Sequence, residues 1–406
     1  MKRFGLIGKK LGHSFSPQIH SMLGDYEYRL YELESEELIP AFIKDSGLDG
    51  FNVTIPYKQA VIPYLDELSP AAREIGAVNT VYRRGGKLCG DNTDYSGFAY
   101  TLKSSGTDVR GKKTLVIGNG GASKAVCYAL REAGADVHIL THKENTAEGI
   151  KPYLDSQIIV NTTPVGMFPK NGEVPLDISV FTACEYVFDI IFNPAKTALM
   201  LAAGQLGIPC KNGLAMLVAQ AKRASELFME SQIAESENER IIGEISRREE
   251  NIILIGMPGC GKTTVGKILA DKLDKGFIDT DDEISRLGKT PAEIITESGE
   301  AAFRRVESGV VYEAGSKCGF VIATGGGVVT VPENYNALAQ NGRIVFINRD
   351  ISSLEREGRP LSSGDGALER LYSVRLPLYR AFADVEADGN PTAEVVAENI
   401  IKELEK

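Results

Sequence analysis

The sequence predicts an α/β protein with parallel sheets, arranged as two nucleotide-binding modules in tandem, and three observations carry that expectation. Short apolar, β-branched runs at 114–117, 137–140, 158–160, 186–191, 252–255, 321–323 and 343–347 alternate with helix-like segments, the pattern of βαβ units. Two of the runs pass directly into glycine-rich turns, at Gly118 and at Gly256. Between the turns, residues 230–250 are rich in Glu, Ser and Arg and poor in large apolar side chains, as expected of a solvated helix or linker. The boundary is placed near Arg247, which divides the chain into modules at 1–246 and 247–406.

Composition bounds the function. With 406 residues, 43% hydrophobic and 25% charged, the chain can bury two or three separate cores. A formal charge of −10 argues against a general nucleic-acid or anionic-membrane surface, which needs clustered Lys and Arg. The six cysteines, Cys89, Cys127, Cys184, Cys210, Cys260 and Cys318, form no CxxC pair and have no His at zinc-ligand spacing. Residues 1–8 read as no signal peptide, and no apolar run reaches the length of a membrane span. A reducing cytoplasm suits these features, and small-molecule substrates are the expected partners; a homo-oligomer is compatible with the sequence.

The first glycine turn follows the apolar strand 113–117 and opens a helix, with Gly118, Asn119, Gly120, Gly121, Ala122 and Ser123 placed to meet a dinucleotide. Ser123 stands where the third glycine of GxGxxG would be. About 20 residues on, where an NAD-binding fold carries an acid for the ribose 2′-hydroxyl, the next strand ends in Thr141, His142 and Lys143. A phosphate on that ribose fits better, so NADP(H) is expected over NAD.

The second turn, residues 256–263, matches GxxxxGK[ST] between an apolar strand and a helical pattern. Its backbone N–H groups and the helix N-terminus suit phosphates. Gly259, Cys260, Gly261, Lys262, Thr263 and Thr264 are the expected ATP-binding residues, with Lys262 on the β/γ-phosphates and the Thr263 hydroxyl on Mg²⁺. An ATPase or GTPase switch shares this loop. Asp279 and Asp281 fall at a strand end, and alternate strand positions would turn both toward one site. The glycines at 325–327 would let backbone approach a ligand closely.

Four further stretches carry a resemblance. Residues 12–20, including Ser14 and Ser16, then 52–58, 76–80 and 91–97, occur in the order of the motifs of shikimate dehydrogenase, and the resemblance extends over about residues 4–229. It implies a substrate subdomain at about 1–100 and 213–240 and a Rossmann NADP subdomain at about 101–212. It also implies that Ser14 and Ser16 bind a carboxylate, that Thr54, Asn79 and Gln220 bind substrate hydroxyls, and that Lys58 and Asp94 are catalytic. Ile190, Gly213 and Met216 would meet the cofactor. Hydride transfer to a ketone builds negative charge on oxygen, which Lys58 can stabilise and protonate while Asp94 aligns it. Two departures stand out: Phe192 replaces the usual Tyr, and 141–143 replace the family's Asn-Arg-Thr.

The second module resembles shikimate kinase over about residues 250–400. Residues 299–307 carry Arg304, 375–379 carry Arg375, and 359–361 match a mobile lid whose arginine is Arg359. The resemblance implies a P-loop NTPase-type α/β kinase domain. In it Arg304 and Arg375 hold the substrate carboxylate, Gly326 and Gly327 line the substrate, and Asp279 helps hold Mg²⁺ through water. Asp281 receives the attacking hydroxyl, and Arg359 closes on the transferring phosphoryl. Arg suits a carboxylate because its planar fork makes two parallel bonds.

The expectation is therefore a bifunctional enzyme that reduces 3-dehydroshikimate to shikimate with NADPH and then phosphorylates shikimate with ATP and Mg²⁺. Two alternatives stay open. One is a quinate or shikimate dehydrogenase using NAD, fused to the kinase. The other is a non-catalytic regulator that senses shikimate, against which stand the retained Lys58, Asp94, Lys262, Thr263 and Asp281.

Overall fold

Three sheets organise the chain. The structure, a computed structural model, describes residues 1–12, 14–354 and 367–405. These residues separate into two compact units, one comprising 1–165, 174–192 and 202–244, the other 166–173, 193–201 and 245–406.

The first unit holds two sheets. Strands β1 (Arg3–Gly8), β2 (Glu27–Glu32), β3 (Gly50–Val53), β4 (Glu67–Leu68), β5 (Thr80–Arg84) and β6 (Lys87–Asp91) form a mixed sheet in the order β2-β1-β3-β5-β6-β4. β1 pairs in parallel with β2 and β3, whereas β5 runs antiparallel to β3 and β6. The other sheet contains β7 (Lys113–Ile117), β8 (Asp136–Leu140), β9 (Ile158–Asn161), β10 (Tyr186–Asp189) and β11 (Cys210–Lys211). Its order is β11-β10-β9-β7-β8, all parallel. The chain steps from β7 to β8 on one side and then to β9 on the other, so strand order reverses at β7, where ligands of open α/β sheets bind. β7 and β9 are buried along nearly their whole length, as strands covered on both faces must be.

The second unit is built on β12 (Asn251–Ile255), β13 (Gly276–Asp279), β14 (Phe320–Ala323), β15 (Gly342–Asn348) and β16 (Val385–Asp388), in the order β13-β14-β12-β15-β16, again all parallel. Fully buried β12, with Ile253, Leu254 and Ile255, is the centre of its core. The strand–turn–helix units at Gly118 and Gly256 expected from the sequence are both present.

Residues 236–249 form a helix, Ser236–Glu249. It is less solvated than its composition suggests, because Ile241 and Ile245 are buried while Arg240 pairs with Glu237 and Glu244 on the open face. Spacing of four residues puts the two isoleucines on one stripe. Among the described residues no helix is long and apolar enough to cross a membrane.

Candidate active sites

In the first unit, a buried polar network converges on one ion pair. Lys58, in the loop after β3, places Nζ 2.5 Å from Asp94 Oδ2. The Lys58 carbonyl accepts from the Val78 amide at 2.8 Å, tying its backbone down. Asp94 lies in the first turn of the helix Thr93–Ser105, capped by Asn92, whose side chain accepts from the Tyr95 amide. A carboxylate is favoured there by the helix N-terminus. The other oxygen of Asp94 accepts from Asn79 Nδ2 at 2.9 Å.

Asn79 has its amide orientation set by its neighbours. Its Oδ1 accepts from the Thr93 amide (2.6 Å) and the Thr80 hydroxyl (3.1 Å), so its NH₂ turns toward Asp94 and, at 3.4 Å, Gln220. Thr80 also receives Asn52 Nδ2 at 2.9 Å, and Asn52 Oδ1 accepts from the Tyr28 hydroxyl at 2.7 Å. Tyr28 in turn stacks on buried His20, with ring centroids 3.9 Å apart. Burial holds His20 neutral, with its pKa down at about 3, the nearby Asn52 side chain opposing the shift only in part. Tyr28 and Asn52, two residues that motif reading did not single out, thus extend the Asn79 network through Thr80. Asn52 was visible as the first residue of 52–58; nothing local marked Tyr28.

Of the other expected substrate residues, Ser14 accepts from the Ser16 amide at 3.3 Å. The N-cap residue of the helix Ser16–Leu23 is Phe15, which makes no side-chain cap bond. The Thr54 amide donates to Ile7, which places its side chain beside β1. Phe192 meets Phe15 edge-to-face, with ring centroids 5.2 Å apart, so the missing hydroxyl is replaced by an apolar contact beside the two serines.

The glycine turn comes close to this pair. Gly118 has φ +105° and its amide donates to the Leu140 carbonyl at 2.9 Å. A Cβ there would meet Thr162 Oγ1 at 2.8 Å, whereas one on Gly120 meets nothing within 4 Å, leaving open space over the turn for a pyrophosphate. Ser123 is buried and bonds back to the Gly118 carbonyl at 2.7 Å, filling the third glycine's position with a turn-closing hydroxyl. A Cβ on Gly121 would stand 3.8 Å from Lys58 Cδ, so the turn abuts the lysine. Gly213 packs so tightly on Ile190 that a Cβ would lie 1.9 Å from its carbonyl oxygen, and Met216 follows in the first turn of the helix Leu214–Met229. Asn119, Ala122, Thr141, His142 and Lys143 lie around the ends of β7 and β8, the last two exposed.

In the second unit, a cavity of about 480 Å³ is lined by Lys262, Thr263, Asp279, Asp281, Arg304 and Arg375, among others. The P-loop ends in Gly261, at φ +98°, which N-caps the helix Lys262–Lys272. Lys262 Nζ bends back to the carbonyls of Gly256 (2.9 Å) and Met257 (3.0 Å). Gly259 and Thr264 line the cavity; Cys260 is buried beneath it, its sulfur 3.8 Å from Lys262 Nζ. The Thr263 hydroxyl donates to Asp279 Oδ2 at 2.7 Å.

Here the expectation of two acids on one strand needs correction. β13 ends at Asp279, whose side chain accepts from the Asp281 amide and starts the helix Thr280–Arg286. Asp281 is therefore helical, and it reaches the cavity because an Asx cap turns the chain. Burial by surrounding protein, and then Asp279, raises the Asp281 pKa from its ordinary value. Its cavity face stays open to water, which screens the effect.

Arg304 Nη1 pairs with Glu307 at 2.5 Å and Nη2 with Glu300 at 2.9 Å. Glu307 is fully buried, and burial raises its pKa against the opposing pull of Arg304. Neither glutamate was picked out from the sequence, although spacings of −4 and +3 from Arg304 put them on its helix face. Arg375 Nη1 donates to the Gly326 carbonyl at 3.0 Å, and the buried Tyr379 hydroxyl donates to the same oxygen. The glycine run is sterically required: a Cβ on Gly325, Gly326 or Gly327 would collide with Glu307, Pro258 or the Arg304 guanidinium respectively. Arg359 lies outside the described residues. No cluster of three or more His, Cys, Asp or Glu that could hold a metal occurs among the described residues. Thr263 and Asp279 supply two oxygens, a set that suits Mg²⁺ completed by phosphates and water.

Comparison with known proteins bears on both sites. Residues 258–405 match the family model for shikimate kinase, and residues 6–81 that for the shikimate dehydrogenase substrate binding domain. The chain is 38% identical over 257 residues to a shikimate dehydrogenase (NADP(+)) of Caldanaerobacter subterraneus subsp. tengcongensis, covering 56% of this chain and 91% of that one. It superposes on a shikimate 5-dehydrogenase of Thermus thermophilus in complex with NADP(H) and shikimate, with TM-score 0.54 and 31% identity, covering 60% of this chain and 99% of that one. A quinate dehydrogenase of Corynebacterium glutamicum in complex with NAD matches at TM-score 0.53 and 30% identity, over 60% and 99% of the two chains.

Proposed function

The chain belongs to the shikimate dehydrogenase family and carries a shikimate kinase domain behind the dehydrogenase, a bifunctional shikimate-pathway enzyme, and on that premise we propose the direction and residues of both reactions. The first module, residues 1–246, reduces 3-dehydroshikimate to shikimate; the second, 247–406, converts shikimate to shikimate 3-phosphate.

In the first module NADPH supplies the hydride. Lys58 Nζ donates a proton to the ketone oxygen as negative charge develops there. Asp94 holds the ammonium in line, and because Asn79 occupies its second oxygen, it cannot swing away. Thr54, Asn79 and Gln220 receive the ring hydroxyls, and Ser14 and Ser16 the carboxylate. The observation that carries this reading is the Lys58–Asp94 pair lying directly against the glycine turn.

In the second module ATP supplies the phosphoryl group, with Mg²⁺ held by Thr263 and, through water, Asp279. Asp281 accepts the proton of the attacking hydroxyl, a task its raised pKa suits. Lys262 exchanges its two loop carbonyls for phosphate oxygens, Arg304 and Arg375 grip the carboxylate, and Arg359 closes over the phosphoryl. A common small acid links the modules, and a reducing cytoplasm suits six cysteines that form no disulfide.

A two-readout assay on one purified chain tests the proposal. NADPH oxidation with 3-dehydroshikimate and ADP formation with shikimate are both expected. Lys58→Ala should lower the first by about 10²–10⁴-fold and spare the second; Lys262→Ala should lower the second by about 10²–10³-fold and spare the first. Loss of neither activity in its own variant would remove the residue assignment.

A further inference from the structure

Just beyond β8 the chain makes a turn in which a carboxylate folds back on the strand end. Glu144 accepts from the Thr141 hydroxyl at 2.6 Å and from the Thr141 amide at 3.1 Å. The turn does not require that carboxylate. The amides of Glu144 and Asn145 both donate to the Thr141 carbonyl, at 3.1 and 3.0 Å, and Asn145 Nδ2 anchors the turn to the Pro175 carbonyl at 2.6 Å.

The Gly118 amide bonds Leu140, the residue before Thr141, so the donors under Glu144 adjoin the glycine turn. In a dinucleotide fold this strand end reads the ribose 2′ position: an acid favours a free hydroxyl, and cations favour a phosphate. Here the two signals coexist, with exposed His142 and Lys143 beside exposed Glu144. Glu144 also stays ionised, since its bonds to the Thr141 hydroxyl and amide pull its pKa below the usual value.

We propose that Glu144 is an internal anion seated on the Thr141 donors that a ribose 2′-phosphate would otherwise take, and that it narrows the chain's discrimination between NADP and NAD. The inference rests on the reading of the first module as an NADP-linked dehydrogenase. It names a specificity-determining residue that touches neither the substrate nor the reacting atoms.

Direct binding tests it on the full chain, by titrating NADPH and NADH separately and following reduced-nicotinamide fluorescence. Removing one negative charge beside a phosphate should tighten NADPH by about tenfold in Glu144→Gln, whose amide oxygen can still accept from Thr141, and by at least as much in Glu144→Ala, which also frees the two donors, while leaving NADH within about twofold. Residue 144 is exposed and the turn closes through backbone bonds, so both variants should fold, as far-UV circular dichroism would report. NADPH binding that ignores residue 144, or equal changes for both dinucleotides, overturns the inference alone. No NADPH binding by any of the three proteins overturns it together with the cofactor reading.

Discussion

His20 shows how one side chain can make a module sensitive to acid. Its imidazole is buried, stacked on Tyr28 and bonded to Tyr26 at 2.7 Å, and its pKa falls from 6.5 to about 3 in the folded chain. A histidine with a depressed folded pKa contributes stability that is complete above its unfolded value and lost as pH falls. The loss should start near pH 6.5 and continue toward about 3, at up to about 1.4 kcal/mol per pH unit. Urea unfolding of the first module between pH 7.5 and 5 should show this slope, and His20→Asn should flatten it. The Asn79 amide makes a second case. Thr80→Val removes one donor from Asn79 Oδ1 and the acceptor for Asn52, so the expected result is an NADPH-oxidation rate lower by about 10-fold with a displaced pH profile. Thr80→Ser should restore both, because it keeps the hydroxyl; an unchanged pH profile in the valine variant would reduce Thr80 to packing.

Helix approach is the corresponding control at the level of elements. Gly97, in the helix Thr93–Ser105, faces the helix Leu214–Met229 so closely that a Cβ would lie 2.4 Å from the Met216 carbonyl and 3.0 Å from Gln220 Cβ. Gly97→Ala must push the second helix away, costing about 1–3 kcal/mol and drawing Gln220 from Asn79. Calorimetric melting and the KM for 3-dehydroshikimate should both register it, whereas kinase activity should not. Elements also show where sequence patterns suffice. β7 and β12 are apolar runs ending in glycines that need positive φ, and both conditions are local. The start of the helix at Thr280 was less legible, because Asp279 and Asp281 also satisfy the alternation of a strand; the Asx cap that decides between them is a side-chain bond. The helix Ser236–Glu249 likewise hid two buried isoleucines in a charged composition.

On the scale of the whole molecule, the described parts of each site lie within a single unit, so the ligands should act separately. NADP⁺ at a hundred times its Kd should stabilise the first unit by about 2.7 kcal/mol, and ADP with Mg²⁺ the second by a similar amount. Two melting transitions, each moved by one ligand, are the expected calorimetric result; one transition moved equally by both would mean that the units unfold together. Taken by itself, the sequence determined the two nucleotide turns, the parallel sheets and the motif residues, since strand, turn and helix signals act over a few neighbouring positions. Tertiary structure alone decided which way Asn79 points, that Gln220 meets it from 141 positions away, and that Glu307 is buried behind Arg304. It also decided that Glu144 sits on Thr141. The physical reason is that hydrogen-bond geometry and burial depend on side chains brought together across the fold, and no local pattern encodes which of several nearby polar groups will claim a donor.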